Sequence, residues 1–594
     1  MRGLTVLHVV LFGLATPSLA RTYDQYWNLP SLSYDYVIVG AGAAGNVIAS
    51  RLSENSGISV LVIEAGPSDE GVTAAIAPLL APTLTPNTPY DWNYTVAPQV
   101  GLNNRQFALP RGRLLGGSSS ANYMVHHFGS SDDYDKLASL TGDNGWSWAN
   151  MKKYIFKHEK IVPPNDGHDT TGQYIPANHG TTGMLSVSLP GNSQVIDAKV
   201  TAASQQLAAE FPYMNDTATP EKIIGIGWTQ QSIGGGVRSS SSTSYLRSAN
   251  SRPNLSVLIN AQVTRLLPTG IENGKLAFRG VMFANGPNQI PGVVLAKKEV
   301  ILSAGSIGTP QILLLSGIGP QADLQKLHIL PLVDNPSVGD NLSDHVLLPN
   351  IYTVKGSDSL DGVFRDPAQF QTAMNTWTTS KKGPIANGVT NQLGFFRLPK
   401  NATIFSKGAD PASGPKSAHW EMIVCNFWLN PGVALPANGS FLTFISALIS
   451  PTSRGTVKLA SSDPFDKPII DPRMVTTDFD KFALREAVRA VKRFASASSW
   501  SDYIIAPYQT LAGTTDDEID SHVRQLSSTV FHPVGTAAMS SSSSKGVVDS
   551  QLKVKGTAGL RVVDASVWPF LPSAHTQGPT YLVAERAADI IKSA

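Results

Sequence analysis

Three closely spaced glycines constrain the fold of this chain more than any other feature. They are Gly40, Gly42 and Gly45, and they follow Tyr34 to Val39, an apolar run of the kind that forms a buried strand. Between a strand and a helix, the first glycine permits a tight turn, the second lets backbone N–H groups approach a diphosphate, and the third lets helix and strand pack closely. The pattern therefore predicts a strand, a turn and a helix that bind a dinucleotide.

An acidic residue stands where such a unit ends. The β-rich run Ile58 to Ile63 leads into Glu64, and a carboxylate at that place suits the ribose hydroxyls of an adenosine. NAD and FAD remain open at this point, because both carry the same adenosine diphosphate half. A glycine-rich turn without a ligand is the alternative, since glycines occur in turns of every kind.

Two further segments are rich in small residues. The run Pro110 to Ser120 predicts a loop that presents N–H donors to a flat ring or a diphosphate, with a solvated loop as the alternative. The run Ser303 to Pro310 follows the strand-like Glu299 to Leu302. We expect Pro310 near the start of the next helix and Gly317 at its end.

These elements resemble the signature motifs of the glucose–methanol–choline (GMC) oxidoreductases. The segments Pro336 to His345 and Gly556 to Asp564 add to the likeness, which covers nearly all of the mature chain. Within the family, the chain is most similar to the secreted fungal aryl-alcohol oxidases in three unbroken stretches, which are Tyr90 to Thr95, Ser251 to Val263 and Ser417 to Glu421.

The resemblance implies an α/β architecture. It comprises a Rossmann-like FAD-binding domain and an intertwined substrate-binding domain built on an antiparallel sheet with helices. We expect residues 33–348 to form the N-terminal, FAD-binding portion and residues 349–450 mainly the substrate-binding portion. Residues 451–588 then form the C-terminal portion, which carries the catalytic histidines and returns to the FAD domain.

The resemblance also implies FAD as the cofactor, bound non-covalently. Family members that link the flavin to histidine do so from the loop that here reads Ser118 to Asn122, without histidine. The implied cofactor-binding residues are Gly40, Gly42, Gly45, Glu64, Arg113, Gly116, Gly117, Ser118, Asn122, Val263, Asp564, Ala565 and Gln577.

Alcohol oxidation by a flavin needs a base for the hydroxyl proton, and histidine suits this role because it is largely neutral yet basic near pH 7. His532 and His575 lie in segments bounded by glycine and proline. From the residues alone, a structural role is the commoner case for a histidine. The resemblance implies that His532 is the catalytic base and that His575 hydrogen-bonds the substrate hydroxyl.

The expected substrate is a primary aromatic alcohol, benzylic or allylic, oxidised to its aldehyde while O2 is reduced to H2O2. Tyr123 and Phe531 match aromatic positions that flank the aryl ring in aryl-alcohol oxidases, although both can also be core residues. Leu429 stands where those enzymes carry a third aromatic gate residue. Asn122 and the pair His126-His127 also depart from them.

Other activities remain as alternatives. The first is a sugar oxidase or dehydrogenase similar to glucose oxidase or pyranose dehydrogenase, which would need polar pocket walls. A serine hydrolase would need a Gly-x-Ser-x-Gly elbow, which the sequence lacks. An inactive flavoprotein would have no need of His532 and His575.

The N-terminus predicts secretion. Arg2, an apolar run from Leu4 to Leu14 and the small residues Ser18 and Ala20 are typical of a signal peptide over residues 1–20. The apolar run is too short to span a bilayer, which needs about 20 residues. Secretion agrees with six glycosylation sequons, at Asn93, Asn215, Asn254, Asn341, Asn401 and Asn438. The resemblance implies extracellular peroxide supply during lignin degradation.

Composition narrows the set of partners. The 46 Lys and Arg against 44 Asp and Glu leave a net charge of +2, which argues against nucleic acid. The single cysteine, Cys425, excludes an internal disulfide and a cysteine-based metal centre, and we expect no metal. We expect a monomer whose partners are a small-molecule alcohol as substrate and O2 or a quinone as electron acceptor. We expect no membrane contact after signal cleavage. Ser239 to Ser242 and Ser540 to Ser544 are interpreted as loops.

Overall fold

The computed structural model describes residues 21–594, so the predicted signal peptide lies outside the described residues. Two sheets organise this part of the chain. Their strands, in chain order, are β1 (Thr22–Tyr23), β2 (Ser33–Val39), β3 (Val60–Ile63), β4 (Leu255–Leu258), β5 (Gln262–Glu272), β6 (Lys275–Ala284), β7 (Gly292–Leu302), β8 (Val346–Val354), β9 (Gln392–Phe396), β10 (Trp420–Cys425), β11 (Ser440–Leu448), β12 (Ile504–Pro507), β13 (Ser528–Thr529), β14 (Thr557–Ala558) and β15 (Leu560–Val562).

The first sheet has nine strands in the order β1-β4-β3-β2-β7-β6-β5, with β14 beside β6 and β15 beside β7. The neighbouring strands β1, β4, β3, β2 and β7 pair in parallel. The strands β7, β6 and β5 form an antiparallel meander. Parallel pairing buries both faces of the central strands, which explains why Val37, Ile38 and Val39 are all buried. This is the expected Rossmann-like layer.

The second sheet has six strands in the order β9-β10-β11-β8-β12, and β13 pairs with the end of β8. All of these pairings are antiparallel. Residues after 451 supply strands to both sheets, because β12 and β13 join the second sheet while β14 and β15 return to the first. The chain therefore ties the two layers together.

The longer helices cover the sheets. They are α1 (Ala43–Leu52), α2 (Ser131–Thr141), α3 (Val195–Gln206), α4 (Gly305–Leu315), α5 (Pro367–Ser380), α6 (Asp478–Ala495), α7 (Asp516–Leu526) and α8 (Gln577–Lys592). In α6, the Thr477 side chain caps the N-terminus, and buried residues such as Leu484, Val488 and Val491 recur at helical spacing. This stripe packs on the second sheet, chiefly on β11.

Shorter elements connect these layers. Paired short strands are Tyr94–Thr95 with Ala108–Leu109, Glu159–Ile161 with Leu185–Val187, Ile233–Gly234 with Val237–Arg238, Ile318–Gly319 with Val333–Asp334, and Thr456–Lys458 with Ile469–Asp471. The short helices are Thr73–Ile76, Ala81–Leu84, Trp148–Met151, Lys153–His158, Arg247–Ala249, Gln321–Lys326 and Asp361–Arg365. A further strand is Gly225–Trp228. Within residues 21–594, no helix is long and apolar enough to cross a membrane.

The predicted strand, turn and helix around the three glycines are confirmed. β2 ends at Val39, Gly40 adopts a φ of +100°, and α1 begins at Ala43. A Cβ atom on Gly45 would lie 2.0 Å from the Gly40 carbonyl oxygen, so only glycine lets α1 pack this closely on the turn. β3 then lies parallel to β2 and leads to Glu64.

The expectation for Pro310 is wrong. α4 begins at Gly305, so Pro310 lies inside the helix. The carboxylate of Asp564 accepts hydrogen bonds from the Gly305 N–H and the Thr309 hydroxyl, which starts the helix early. Pro310 has no N–H to donate to the Ser306 carbonyl, as another residue at this position would. That carbonyl accepts a hydrogen bond from the Thr536 hydroxyl at 2.7 Å instead.

The two serine runs differ. Ser540 to Ser544 lies in a largely exposed loop, as expected. Ser239 to Ser242 is buried and packs against the Gly116–Ser119 segment, where the Ser241 N–H donates to the Ser119 hydroxyl at 3.0 Å. This run is therefore part of the interior, and its hydroxyl groups find partners there.

Candidate active site

One cavity runs from the glycine turn to the antiparallel sheet. At one end it is lined by Gly40, Gly42 and Glu64, and at the other by the two histidines of interest, His532 and His575. Both sheets contribute walls. The chain thus brings its first and last motifs to a single elongated site.

The glycine end suits a diphosphate. No side chain caps α1, whose N-cap residue is Gly42, so N–H groups of the first turn lack intrahelical acceptors. A Cβ on Gly42 would approach only the Ser303 carbonyl oxygen, at 4.0 Å, and would otherwise enter the cavity. Free N–H groups at a helix N-terminus, with open space in front of them, form an anion site.

Glu64 lines the cavity beside this turn. Its two carboxylate oxygens accept hydrogen bonds from the N–H groups of Ala41 and Gly66, each at 2.8 Å. Burial raises the pKa of Glu64, and the two N–H donors oppose that effect. Each oxygen keeps a further lone pair, so the fixed carboxylate can still accept from ribose hydroxyls.

The same cavity is lined by seven more of the predicted cofactor residues. They are Gly117, Ser118, Asn122, Val263, Asp564, Ala565 and Gln577. The start of α8 at Gln577 has no side-chain cap, so a second helix N-terminus borders this region. Its N–H groups favour negative charge on whatever group lies against them.

Three predicted cofactor residues do not line the cavity. Gly45 packs on the turn, as described above. Gly116 supports the loop from behind, where its N–H donates to the Ala41 carbonyl at 2.8 Å. Arg113 lies in an adjoining pocket, with its guanidinium 5.6 Å from the centre of the Trp92 ring. These residues therefore shape the cradle without facing its interior.

The base candidate His532 sits in a tightly held loop. Its backbone N–H donates to Asp344 at 2.8 Å, and its Nδ1 lies 3.0 Å from Nδ1 of His345. Burial lowers the pKa of His345 to about 3 and holds the pKa of His532 well below its usual range. Both imidazoles are neutral near pH 7, which leaves Nε2 of His532 as the nitrogen available to a ligand.

Phe531 adopts a backbone φ of +68°, a conformation that residues other than glycine rarely take. Several contacts fix it there, since its N–H donates to the Thr529 hydroxyl at 2.6 Å and Arg111 donates to its carbonyl at 2.7 Å. Asp344 also accepts from Thr529, at 2.5 Å, and burial raises the pKa of Asp344 to about 7. Such strain, held by surrounding bonds, is typical of functional loops.

His575 faces His532 across the site. The two ring centres are 4.8 Å apart and the ring planes are nearly perpendicular. Nε2 of His575 lies 2.9 Å from a carboxylate oxygen of Glu421, which is fully buried on β10. The carboxylate fixes the orientation of the imidazole and leaves its Nδ1 as the free nitrogen.

Apolar side chains form the walls around the two histidines. Tyr123 and Phe531 have ring centres 6.2 Å apart, and Leu429 lines the same end. Behind them the wall is built from Val125, Leu347, Val389, Ile423, Ile445 and Val530. Polar side chains also line the cavity here: Arg111, which donates to the Phe531 carbonyl, and Asn122, Thr576 and Gln577, which lie within two residues of Tyr123 or His575 in the chain.

Sequence reasoning missed His345, Asp344 and Glu421 as site residues. His345 closes the segment Pro336 to His345, and Glu421 lies in the stretch Ser417 to Glu421, but the resemblance assigns a role to neither of them. A usable signal was present for Glu421, because a carboxylate inside the otherwise apolar strand Trp420–Cys425 is costly to bury without a partner.

Comparisons with known proteins show which family the chain belongs to. The two models of the GMC oxidoreductase family match residues 34–347 and 451–584. The chain belongs to the GMC oxidoreductase family. A pyranose dehydrogenase of Agaricus xanthodermus is 39% identical over 98% of this chain and 96% of its own. The dehydrogenase eriK of Hericium erinaceus is 36% identical over 98% of both chains.

Solved structures of two oxidases have the same fold. Formate oxidase of Aspergillus oryzae superposes with a TM-score of 0.86 at 30% identity, covering 94% of this chain and 98% of its own. A fungal aryl-alcohol oxidase superposes with a TM-score of 0.80 at 26% identity, covering 94% and 99%. FAD is the cofactor of this GMC oxidoreductase, and the uncapped α1, Glu64 and the open face of Gly42 fit its diphosphate and ribose.

Proposed function

We propose that this GMC oxidoreductase oxidises primary alcohols whose carbinol carbon carries an aromatic or similarly flat apolar group. The observation that supports this best is the substrate end of the cavity, where two imidazoles lie beside the rings of Tyr123 and Phe531 and a cluster of apolar side chains. A benzylic alcohol has one hydroxyl for the imidazoles and a ring for the wall. Aromatic contacts of this kind are worth about 0.5–1.5 kcal/mol each.

In this proposal His532 takes the hydroxyl proton. When bound, FAD supplies the acceptor for the hydride that leaves the carbinol carbon. Nδ1–H of His532 donates a hydrogen bond to Nδ1 of His345, which keeps the lone pair of His532 on Nε2, facing the substrate. The same hydrogen bond holds the imidazole after His532 has taken the proton. His575, oriented by Glu421, lies on the other side of the substrate hydroxyl and hydrogen-bonds it through Nδ1.

The second candidate is a sugar dehydrogenase. It is supported by the 38% and 39% identity to pyranose dehydrogenases of Leucoagaricus meleagris and Agaricus xanthodermus. The apolar side chains of the wall argue against it, because sugar hydroxyls buried against them would lose their hydrogen bonds to water.

The test compares kcat/KM for 4-methoxybenzyl alcohol and for glucose, each with O2 and with benzoquinone as acceptor. We expect the aromatic alcohol to be preferred by at least a hundredfold, with H2O2 formed in the O2 reactions. A preference for glucose would overturn the aromatic assignment. A preference for the aromatic alcohol with reaction only through the quinone would retain the substrate and replace the oxidase with a dehydrogenase.

We also propose that the protein is secreted and glycosylated. Asn215, Asn401 and Asn438 are exposed. The side-chain amides of Asn93, Asn254 and Asn341 instead donate to backbone carbonyls in the folded chain. Peptide mass spectrometry of the secreted protein should find glycans at the three exposed sites; unmodified asparagine at all three would contradict the proposal.

A further inference from the structure

Arg238 is a buried cation without a carboxylate. Only 3% of the residue is exposed, and within residues 21–594 no acidic side chain forms an ion pair with it. Its Nη1 donates to Oδ1 of Asn122 at 2.7 Å and to the Ser119 carbonyl at 3.3 Å. Its Nε and Nη2 are buried, and the described residues provide no acceptor for them.

Such an arrangement is unfavourable in isolation. Removing a guanidinium from water costs free energy that two neutral carbonyl groups repay only in part. Burial lowers the pKa of Arg238 to about 9, so the group is still charged near pH 7. A nearby negative charge would offset the cost.

The contacts of Arg238 lead directly to the cavity wall. Oδ1 of Asn122 accepts from Arg238 and from the Met124 N–H, which forces the Asn122 amide nitrogen to the other side. That nitrogen donates to Oε1 of Gln577, and both Asn122 and Gln577 line the cavity. Arg238 thus lies one side chain behind the wall at the start of α8.

The proposed reaction creates a negative charge in this cavity. An FAD bound here would gain one negative charge with the hydride of the alcohol, while His532 would gain one positive charge with the hydroxyl proton. We infer that Arg238 is the fixed positive charge that stabilises the reduced, anionic FAD through Asn122 and Gln577. The inference rests on FAD and not on the identity of the alcohol.

The test measures the two-electron reduction potential of the purified holoenzyme by equilibration with a reference dye, without any alcohol. Replacing Arg238→Met should shift the equilibrium at least tenfold towards oxidised FAD, which is about 30 mV for a two-electron couple. Arg252→Met is the matched control, because Arg252 is half-buried, donates to the Ser50 carbonyl and does not line the cavity. Its potential should equal that of the wild type.

Arg238→Lys keeps the charge and provides a second measurement if the methionine variant does not hold FAD. A buried ammonium loses its proton at a lower pH than a guanidinium. The potential of the lysine variant should therefore match the wild type at low pH and fall below it as pH rises.

A methionine variant with bound FAD and an unchanged potential would overturn the inference, as would a lysine variant that follows the wild type at every pH. A lower melting temperature alone would indicate only a structural role. Because no alcohol is present, failure here leaves the proposed oxidation of aromatic alcohols untouched.

Discussion

His532 depends on side chains that are remote from it in the chain. His345 lies 187 residues before it and contacts its Nδ1. Histidine is a suitable base only when the correct nitrogen carries the lone pair, and in the proposed mechanism His345 sets that choice by accepting a hydrogen bond from Nδ1–H of His532. The pair does so without a buried carboxylate at Nδ1.

Replacing His532→Ala removes the proposed base. Flavin reduction by 4-methoxybenzyl alcohol should slow by about 10²–10⁴-fold, the usual contribution of a general base, while FAD stays bound. Anaerobic stopped-flow absorbance of the flavin measures this rate. Near-normal reduction in the variant would exclude His532 as the base.

Replacing His345→Leu tests its role as a positioning residue. Flavin reduction should slow by about tenfold to a hundredfold, part of the general-base contribution, and the rate should gain a new dependence on pH because the tautomer of His532 is no longer fixed. His522→Leu is the control. It removes a buried histidine that contacts Thr510 outside the cavity, so it should lower stability and leave the rate unchanged.

At the scale of elements, two glycines of the turn have different roles, because Gly45 is needed for helix packing and Gly42 faces the proposed diphosphate site. Gly45→Ala forces a Cβ against the Gly40 carbonyl and should destabilise the fold by about 1–3 kcal/mol or more. Gly42→Ala places its methyl group in open space at the diphosphate end, so the apoprotein should melt like the wild type while the ratio of FAD to protein falls. Equal FAD content in the Gly42 variant would contradict the assigned site.

A buried histidine links short elements far from the cavity. His179 contacts Glu159 through Nδ1 at 3.0 Å and Asp216 through Nε2 at 3.1 Å. Burial alone would lower the pKa of His179, but the hydrogen bonds to the two carboxylates outweigh it and raise the pKa to about 10. The folded chain therefore binds this proton more tightly than the unfolded chain.

The pH dependence follows from that difference. Stability from His179 is fully present below pH 6.5 and is lost as pH rises towards 10. His179→Gln should cost about 3–5 kcal/mol at low pH and should remove this loss. Urea unfolding from pH 6 to 10 measures both; a wild type and a variant with parallel profiles would contradict the assignment.

For the whole molecule, the sequence predicts local structural units well, but it predicts contacts between residues far apart in the chain poorly. The glycine turn and its βαβ unit are predicted because their chemistry lies within a short segment. The position of Pro310 in its helix was not predictable because the groups that allow it, Asp564 at the helix start and Thr536 at the Ser306 carbonyl, lie more than 200 residues away in the chain. The contacts of Glu421 with His575 and of Arg238 with Asn122 arise in the same way, from the intertwined return of the chain to both sheets.

That intertwining places one cavity between the two sheets, with the groups proposed to bind FAD at one end and, at the other, two imidazoles beside aromatic and apolar side chains. The most direct test mixes the purified holoenzyme anaerobically with 4-methoxybenzyl alcohol and follows the visible flavin absorbance, then admits air. We predict rapid bleaching, followed by recovery with release of H2O2. A flavin that does not bleach with this alcohol but bleaches with glucose would contradict the account.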